Sequence, residues 1–470
     1  MNTRSGIFAG LVANRPLLTI LVLAFGCVAL AVVGARNGVP ADASKLILFM
    51  GAALVILAVP SIFYSVLPRL TLYRYGALIV FIGLCAGVIY GIDRNVFAEW
   101  GPSSDVTSFV YLTGFLGLYF FALSPVIGRT PGVFAGLGAI LGGSAAGGYL
   151  VMEGLLSTEI GAAVLTFAVA AGVMVGAGVN AEHAKAFSLG RRRRDAAATA
   201  AHEALAPTAF AILVALILFS VQSYIGNFGL VDTRLLTGVF VSTVLTTLIG
   251  LLVCAGALSA ISITDQVAFD ENMRGRRFTK QWRGVRTVLP APTAFAITGI
   301  AGDFGVLSLF EAPLAPALPL AAFFIAVWVA AGLVFVSIRT SLLVVVLLLL
   351  GNLGALLLYR WTGVTAPMIL EVLVALGLSA LALGQLTIGW RNAGEHWRDA
   401  RDIAQHAMSD GMQRYLATLG FGAATLYCSA FSGLWSGGAS AGTFFIIVAS
   451  LTLFLAPAFM TALSARYQHF

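Results

Sequence analysis

Charge is what this sequence has least of. Only 10% of its 470 residues are Asp, Glu, Lys or Arg, against 59% apolar, and the mean hydropathy is +0.96. Soluble domains run nearer a quarter charged, so a water-exposed domain is excluded almost everywhere along the chain. Cysteine is scarce too. Cys27, Cys85, Cys254 and Cys428 sit singly in apolar runs, with no paired spacing for a metal, a haem attachment or a disulfide framework. His183, His202, His396, His406 and His469 all fall in polar segments between apolar runs, which leaves a haem or metal inside the membrane without ligands. A Gly-Lys-Ser phosphate loop, a nucleophile elbow, a His-Glu zinc pattern and a catalytic dyad are all missing. The expectation is a protein that is not an enzyme, with no cofactor, no metal and no catalytic residue.

What the chain has in excess is apolar length. A bilayer core takes about 20 apolar residues per helix, and windows of that size fall near 16–34, 45–67, 75–93, 107–127, 132–151, 157–180, 207–228, 235–263, 288–309, 315–337, 340–358, 367–390, 415–432 and 441–464. This gives an all-α polytopic membrane protein of fourteen spans. The first run lacks a small-residue cleavage site and reads as a retained span.

Basic residues give an independent check, because they accumulate in cytoplasmic loops. With both termini placed inside, 22 of the 27 Lys and Arg residues fall on the cytoplasmic side. The outer side keeps Arg36, Lys45, Arg94, Arg234 and Arg360. One missed or false span would scramble that pattern. The net charge of +7 thus divides into a basic surplus on the cytoplasmic side and an acidic one outside, and anionic headgroups account for the basic face without a nucleic-acid partner. The location that fits is a bacterial inner membrane, crossed many times.

Three cytoplasmic segments are long enough to hold structure, at 181–206, 264–287 and 391–414. Two of them open alike, with Asn180-Ala181-Glu182-His183 in one and Asn392-Ala393-Gly394-Glu395-His396 in the other, about 212 residues apart. The same offset carries Glu159 onto Glu371 and nearly carries Asp93 onto Asp303. The domain reading follows: a two-helix appendage at 1–70, a first six-span unit at 71–263 with an amphipathic helix at 181–206, a linker helix at 264–287, and a second six-span unit at 288–470 with an amphipathic helix at 391–414. An even number of spans keeps the units parallel, related by a pseudo-two-fold axis along the membrane normal. In the last segment Trp390, Trp397, Ala404, Met408 and Met412 share one helical face, which predicts a helix lying at the headgroups, Trp side inward. Phe278, Trp282 and Val285 repeat that pattern in the linker.

Two six-span units, each with a cytoplasmic amphipathic helix after its fourth span, resemble the resistance-nodulation-division superfamily and its MmpL-type lipid transporters. The C-terminal stretch, with Gly420-Phe421-Gly422, Ser429 to Ser432, Gly442, Leu455-Ala456-Pro457-Ala458 and Arg466, is similar to the last two helices of those proteins. The resemblance implies a transmembrane core that moves a hydrophobic molecule. Two departures accompany it. The family's large extracytoplasmic domains have no room here, since the corresponding connections are only 94–106 and 310–314. The family's relay acid in the fourth span is replaced as well: Gly176-Ala177-Gly178-Val179-Asn180 ends in an amide, and the second unit offers Gln385 and Thr387.

Ionisable groups within a span are costly and mark functional positions. Asp303 and its repeat partner Asp93 either mark the outer interface or form a proton or cation site. Glu159 and Glu371 stand in the first turn of their spans, where a carboxylate meets the positive helix end. By symmetry they could also converge as a paired carboxylate. Arg191, Arg192, Arg193 and Arg194 either fix topology or contact lipid headgroups or a partner. Gly132, Gly136, Gly138, Gly142, Gly143 and Gly147 give small-xxx-small pairs for close helix packing, with an acyl groove as the other reading. Asn352, Ser379, Ser242, Thr243, Thr246 and Thr247 read as interhelical hydrogen-bonding groups. Three functions remain open: a transporter-like protein handling a lipid or hydrophobic cargo without the relay acids, a non-transporting subunit of a larger membrane complex, and a fourteen-helix flippase for lipid-linked oligosaccharides. Membrane lipids, and possible other membrane subunits, are the expected partners.

Overall fold

The computed structural model describes residues 131–188, 190–226, 232–260, 317–362, 367–396, 399–431 and 434–465. These form ten helices, with no strand among the described residues. In chain order they are α1 Pro131–Met152, α2 Glu159–Ser188, α3 Arg193–Glu203, α4 Leu205–Gly226, α5 Thr233–Ala260, α6 Ala317–Phe335, α7 Ile338–Thr362, α8 Ile369–His396, α9 Ala400–Phe431 and α10 Gly438–Ala465. Nine of the expected spans lie on these helices. The appendage at 1–70, the linker at 264–287 and the spans at 75–93, 107–127 and 288–309 lie outside the described residues. By length and composition, six helical stretches among the described residues are long and apolar enough to cross a membrane.

The described residues divide into two compact units. In the first, α1 and α2 press onto α5 through residues that have almost no side chain. A Cβ on Gly138 would lie 2.8 Å from the Gly250 Cα, one on Gly142 would lie 2.6 Å from the Thr246 Cα, and one on Gly172 would lie 2.8 Å from the Thr246 carbonyl oxygen. The described part of the glycine stripe is therefore filled by α5 rather than open as an acyl groove. Thr246 is buried there with its hydroxyl donating to the Ser242 carbonyl at 2.9 Å on its own helix, which satisfies the hydroxyl while leaving its Cα face free for contact. The alanines of α3 join Val175 and Val179 of α2 and Leu251, Leu252, Cys254, Ala255 and Leu258 of α5 in one buried cluster.

The second unit holds α6, α7, α8, most of α4 and α10, and α9 up to Ala423. Gly351 of α7 meets the Thr452 side chain of α10, where a Cβ would lie 2.7 Å from Thr452 Cγ2. Tyr415 of α9 is fully buried; its hydroxyl donates to the Ala449 carbonyl at 2.7 Å and pairs with Thr452 Oγ1 at 2.7 Å. Gly384 of α8 faces Phe210 of α4 and Phe335 of α6, whose rings stand 5.2 Å apart. Exposed apolar side chains such as Ile325, Trp328, Val329 and Leu333 line one side of α6, as a lipid-facing helix requires.

The two amphipathic segments expected at 181–206 and 391–414 are largely helical, but each is divided between successive helices. Residues 181–188 complete α2 without a break. The helix then stops in a Schellman motif: Gly190 takes φ +81°, its N–H bonds to the Phe187 carbonyl at 3.0 Å, and the Arg191 N–H bonds to the Ala186 carbonyl at 3.3 Å. A left-handed residue at this position is the reason glycine ends helices. In the second unit residues 391–396 finish α8, and α9 runs unbroken for 32 residues from Ala400 into the apolar stretch, so the span expected at 415–432 is its continuation. Nothing in that stretch breaks a helix, so it has no reason to stop. Trp390 is buried, and its Nε1–H donates to Ser464 Oγ of α10 at 3.1 Å.

Two outcomes follow. Gly142→Ala drives a methyl group into the α5 backbone and costs about 1–3 kcal/mol, whereas Gly147→Ala, whose methyl meets only the Leu165 side chain at 3.6 Å, is tolerated. Thermal unfolding in detergent separates them. Val336 joins α6 to α7 with φ 50° while 87% exposed, a conformation a β-branched residue avoids. Val336→Gly relieves that strain without losing packing and raises stability by up to about 1 kcal/mol, while Val336→Ala, which keeps a Cβ, gains less.

Candidate functional site

Asn180, the amide that the sequence reading sets against the relay acid of the superfamily it resembles, is buried in the continuous part of α2. Helix α2 is buried on nearly all sides, with 94% of its most apolar stretch inside the protein, and α8 is buried to the same extent. The outer helix α10 reaches 50%. Helix interiors enclosed in this way are where an ionisable group would be sheltered from lipid. Besides His183 and Glu371, the buried polar groups in the described parts of α2 and α8 are amides and hydroxyls. Asn180 stands in the first unit; Ser379, Gln385 and Thr387 are buried in the second. The Ser379 hydroxyl donates to the Ala375 carbonyl at 2.8 Å and the Thr387 hydroxyl to the Gly384 carbonyl at 2.8 Å, each on its own helix. Amides and hydroxyls orient and bind polar groups without titrating near neutral pH.

One turn beyond Asn180, within the segment expected to form an amphipathic helix, His183 is buried in α2, its ring stacks on Phe187 at 6.1 Å, and it hydrogen-bonds to the backbone of Arg193 at the start of α3. Its Nε2 has no hydrogen-bond partner within the chain. The signal was in the sequence, since Asn180, His183 and Phe187 continue one helical face at spacings of three and four.

The two repeat-related acids have different surroundings. Glu159 is exposed at the first position of α2. Capping falls to its neighbour: the Thr158 hydroxyl accepts the Gly161 N–H at 3.0 Å. Glu371 is buried, and its Oε2 accepts the Met368 N–H at 2.9 Å. That is half of a capping box, in which an acid at the third helical position reaches back to the residue before the helix. Among the described residues Glu371 is the one buried carboxylate, and its charge serves the end of α8. The two fall in different compact units. Asp93 and Asp303 lie outside the described residues.

Arg191, Arg192 and Arg194 are exposed and Arg193 half-buried around the α2–α3 turn. The Arg191 guanidinium donates to Thr199 Oγ1 at 2.7 Å. Of the other sequence candidates, Asn352 is buried with its Oδ1 unpartnered, as are the hydroxyls of Ser242 and Thr243, while Thr247 donates to the Thr243 carbonyl at 2.6 Å. The interhelical bonds expected of Thr246, Thr247 and Ser379 are bonds within their own helices. Tyr415 was not anticipated; a tyrosine at the start of an apolar run gives no sign of the carbonyl it will meet across the unit.

These observations define the class: a multi-pass α-helical membrane protein. Neither a family model nor a curated protein matches the sequence. Among solved structures the fold is similar to SecDF from Thermus thermophilus, described as a translocon-associated membrane protein, with a TM-score of 0.52 and 10% identity over 78% of this chain and 63% of that one. SecDF in its super-membrane-facing form gives a TM-score of 0.52 at 11% identity with the same coverage. The chain thus spans less than two thirds of the length of those proteins, and at that identity the likeness is one of fold.

The capping role is testable. Glu371→Ala leaves the Met368 N–H without its acceptor and lowers stability by about 1 kcal/mol. Glu159→Ala, at an exposed site, changes it by less, and comparing the two unfolding midpoints decides the matter.

Proposed function

We propose that the chain is a transporter-like core of the resistance-nodulation-division plan, with fourteen spans, both termini cytoplasmic, and two parallel six-span units preceded by a two-helix appendage. On this reading it handles a lipid or other hydrophobic molecule in a bacterial inner membrane, without proton relay through the usual acids and without enzymatic chemistry. The observation that carries the reading is a helix crossing that recurs. Gly142 of α1 sits against Thr246 of α5, and Gly351 of α7 sits against Thr452 of α10. The offsets are 209 and 206 residues. The helices that bear them start at similar offsets, 131 and 338, 159 and 369, 193 and 400, 233 and 438. Duplication accounts for that spacing, and a fold similar to SecDF, a member of the same superfamily, is what such a duplication supports.

A second reading is favoured by the site itself. Among the described residues, position 180 is an amide and the buried carboxylate of Glu371 is held by the backbone of its own helix end, so neither serves as a relay acid on this reading. The core then serves as an accessory subunit within a larger membrane assembly. The likeness to a translocon-associated protein is compatible with that role.

Reconstitution separates the two. Purified from mild detergent into vesicles holding a photo-crosslinkable phospholipid, the full chain is expected to crosslink the lipid and move it between leaflets at a rate independent of an imposed pH gradient. Transfer driven by the gradient would overturn the relay-free mechanism. Stoichiometric protein partners with no lipid transfer would replace the transporter by the accessory subunit.

A further inference from the structure

The turn between α2 and α3 concentrates positive charge where a helix end already carries it. Arg191 to Arg194 stand together, and the acid that follows in the first turn of α3 is Asp195 alone. Arg192 occupies the N-cap position with no side-chain cap. An arginine has no acceptor to offer there, so the first N–H groups of α3 remain without a side-chain acceptor. The first backbone bond into the helix is from the Ala196 N–H to the Arg192 carbonyl. Four guanidinium groups at the positive end of a helix are an unfavourable arrangement on their own.

The turn is built rather than loose. Gly190 closes the Schellman motif, Arg191 is tied to Thr199, and the buried imidazole of His183 reaches the Arg193 backbone from below with its Nε2 unpartnered. The corresponding entry into α9 lacks the surplus: it reads Trp397-Arg398-Asp399-Ala400-Arg401-Asp402, base and acid in equal number.

The level of the turn selects the anion. Helix α2 is 30 residues long, about 45 Å at 1.5 Å per residue, which matches a bilayer measured across both headgroup layers. A turn at the end of an upright helix of that length comes to the level of the lipid phosphates. We infer that the α2–α3 turn is a binding site for the headgroup of an anionic phospholipid, whose phosphodiester is held by Arg192, Arg194 and the open N–H groups at the start of α3. The lipid is a resident ligand that anchors α3 at the membrane surface. It is distinct from any transported cargo and does not depend on the transport reading.

The test is lipid retention by the full chain in nanodiscs containing phosphatidylglycerol and phosphatidylcholine, read by native mass spectrometry after transfer to detergent. Arg192→Gln with Arg194→Gln is expected to lower phosphatidylglycerol retention about 30-fold, at roughly fivefold per juxtamembrane arginine. Arg391→Gln, removing an exposed arginine at the end of α8, leaves it unchanged. An unaltered circular dichroism spectrum and elution volume establish that the double variant is folded; should it fail to fold, Arg192→Gln alone is read against the same expectation at about fivefold. Retention equal to the native chain overturns the site, as does an equal loss in Arg391→Gln. Displacement of the lipid by excess inorganic phosphate, or an acidic protein recovered on the turn in its place, overturns the assignment to a lipid.

Discussion

The structure depends on how closely helix backbones can approach Thr246 and Gly250. Lipid tails are as apolar as leucine, so helices inside a bilayer gain nothing by hiding apolar side chains from their surroundings. What holds them together is dispersion at short range, which decays within an ångström of lost contact. The first unit meets that requirement with Gly138 and Gly142 on α1 and Gly172 on α2, all seated on one short stretch of α5. The alanine-rich α3 can then lie against α2 and α5 with no larger side chain in the way. The second unit uses the same device more sparingly, with Gly351 against Thr452, and adds a hydrogen bond between helices through Tyr415. That bond replaces part of the contact area that the glycines provide in the first unit.

Much of the architecture could be read from residue types, because the membrane imposes coarse rules. Apolar runs of about 20 residues gave the position of nine helices to within a few residues, except where a polar segment continued a helix. The limits of α2 and α9 were misjudged for a physical reason. Polar composition says that a segment leaves the hydrocarbon layer and says nothing about whether its backbone stays helical, which is decided by a left-handed residue such as Gly190 or by its absence after Ala400. Glu159 and Glu371 stand in the first turns of α2 and α8, as their place at the start of apolar runs implied. Their different surroundings were not legible, because an equivalent offset in sequence does not specify that Thr158 caps α2 while Glu371 itself caps α8. The burial of His183 was not legible from the polarity of its segment; the phase it shares with Asn180 and Phe187 is the feature that carries it.

The amide at residue 180 bears on mechanism through energetics. An ionised carboxylate at the centre of a spanning helix costs about 2.5–3.5 kcal/mol on insertion-based scales, and that cost is useful only to a protein whose cycle alternates protonation at that point. Asparagine fills nearly the same volume and cannot titrate. Most buried polar groups in the described interiors of α2 and α8 are amides, or hydroxyls bonded to their own helices, with His183 and Glu371 as buried ionisable groups nearer the helix ends. The side chain of residue 180 itself can neither take up nor release a proton near neutral pH. Where a helical core has two conformations, a ligand shifts their equilibrium only by its difference in affinity for the two states. A conformation that exposes α2 or α8 loses the packing that buries each of them. Dispersion decays steeply with lost contact, so whatever favours such exposure must offset that loss.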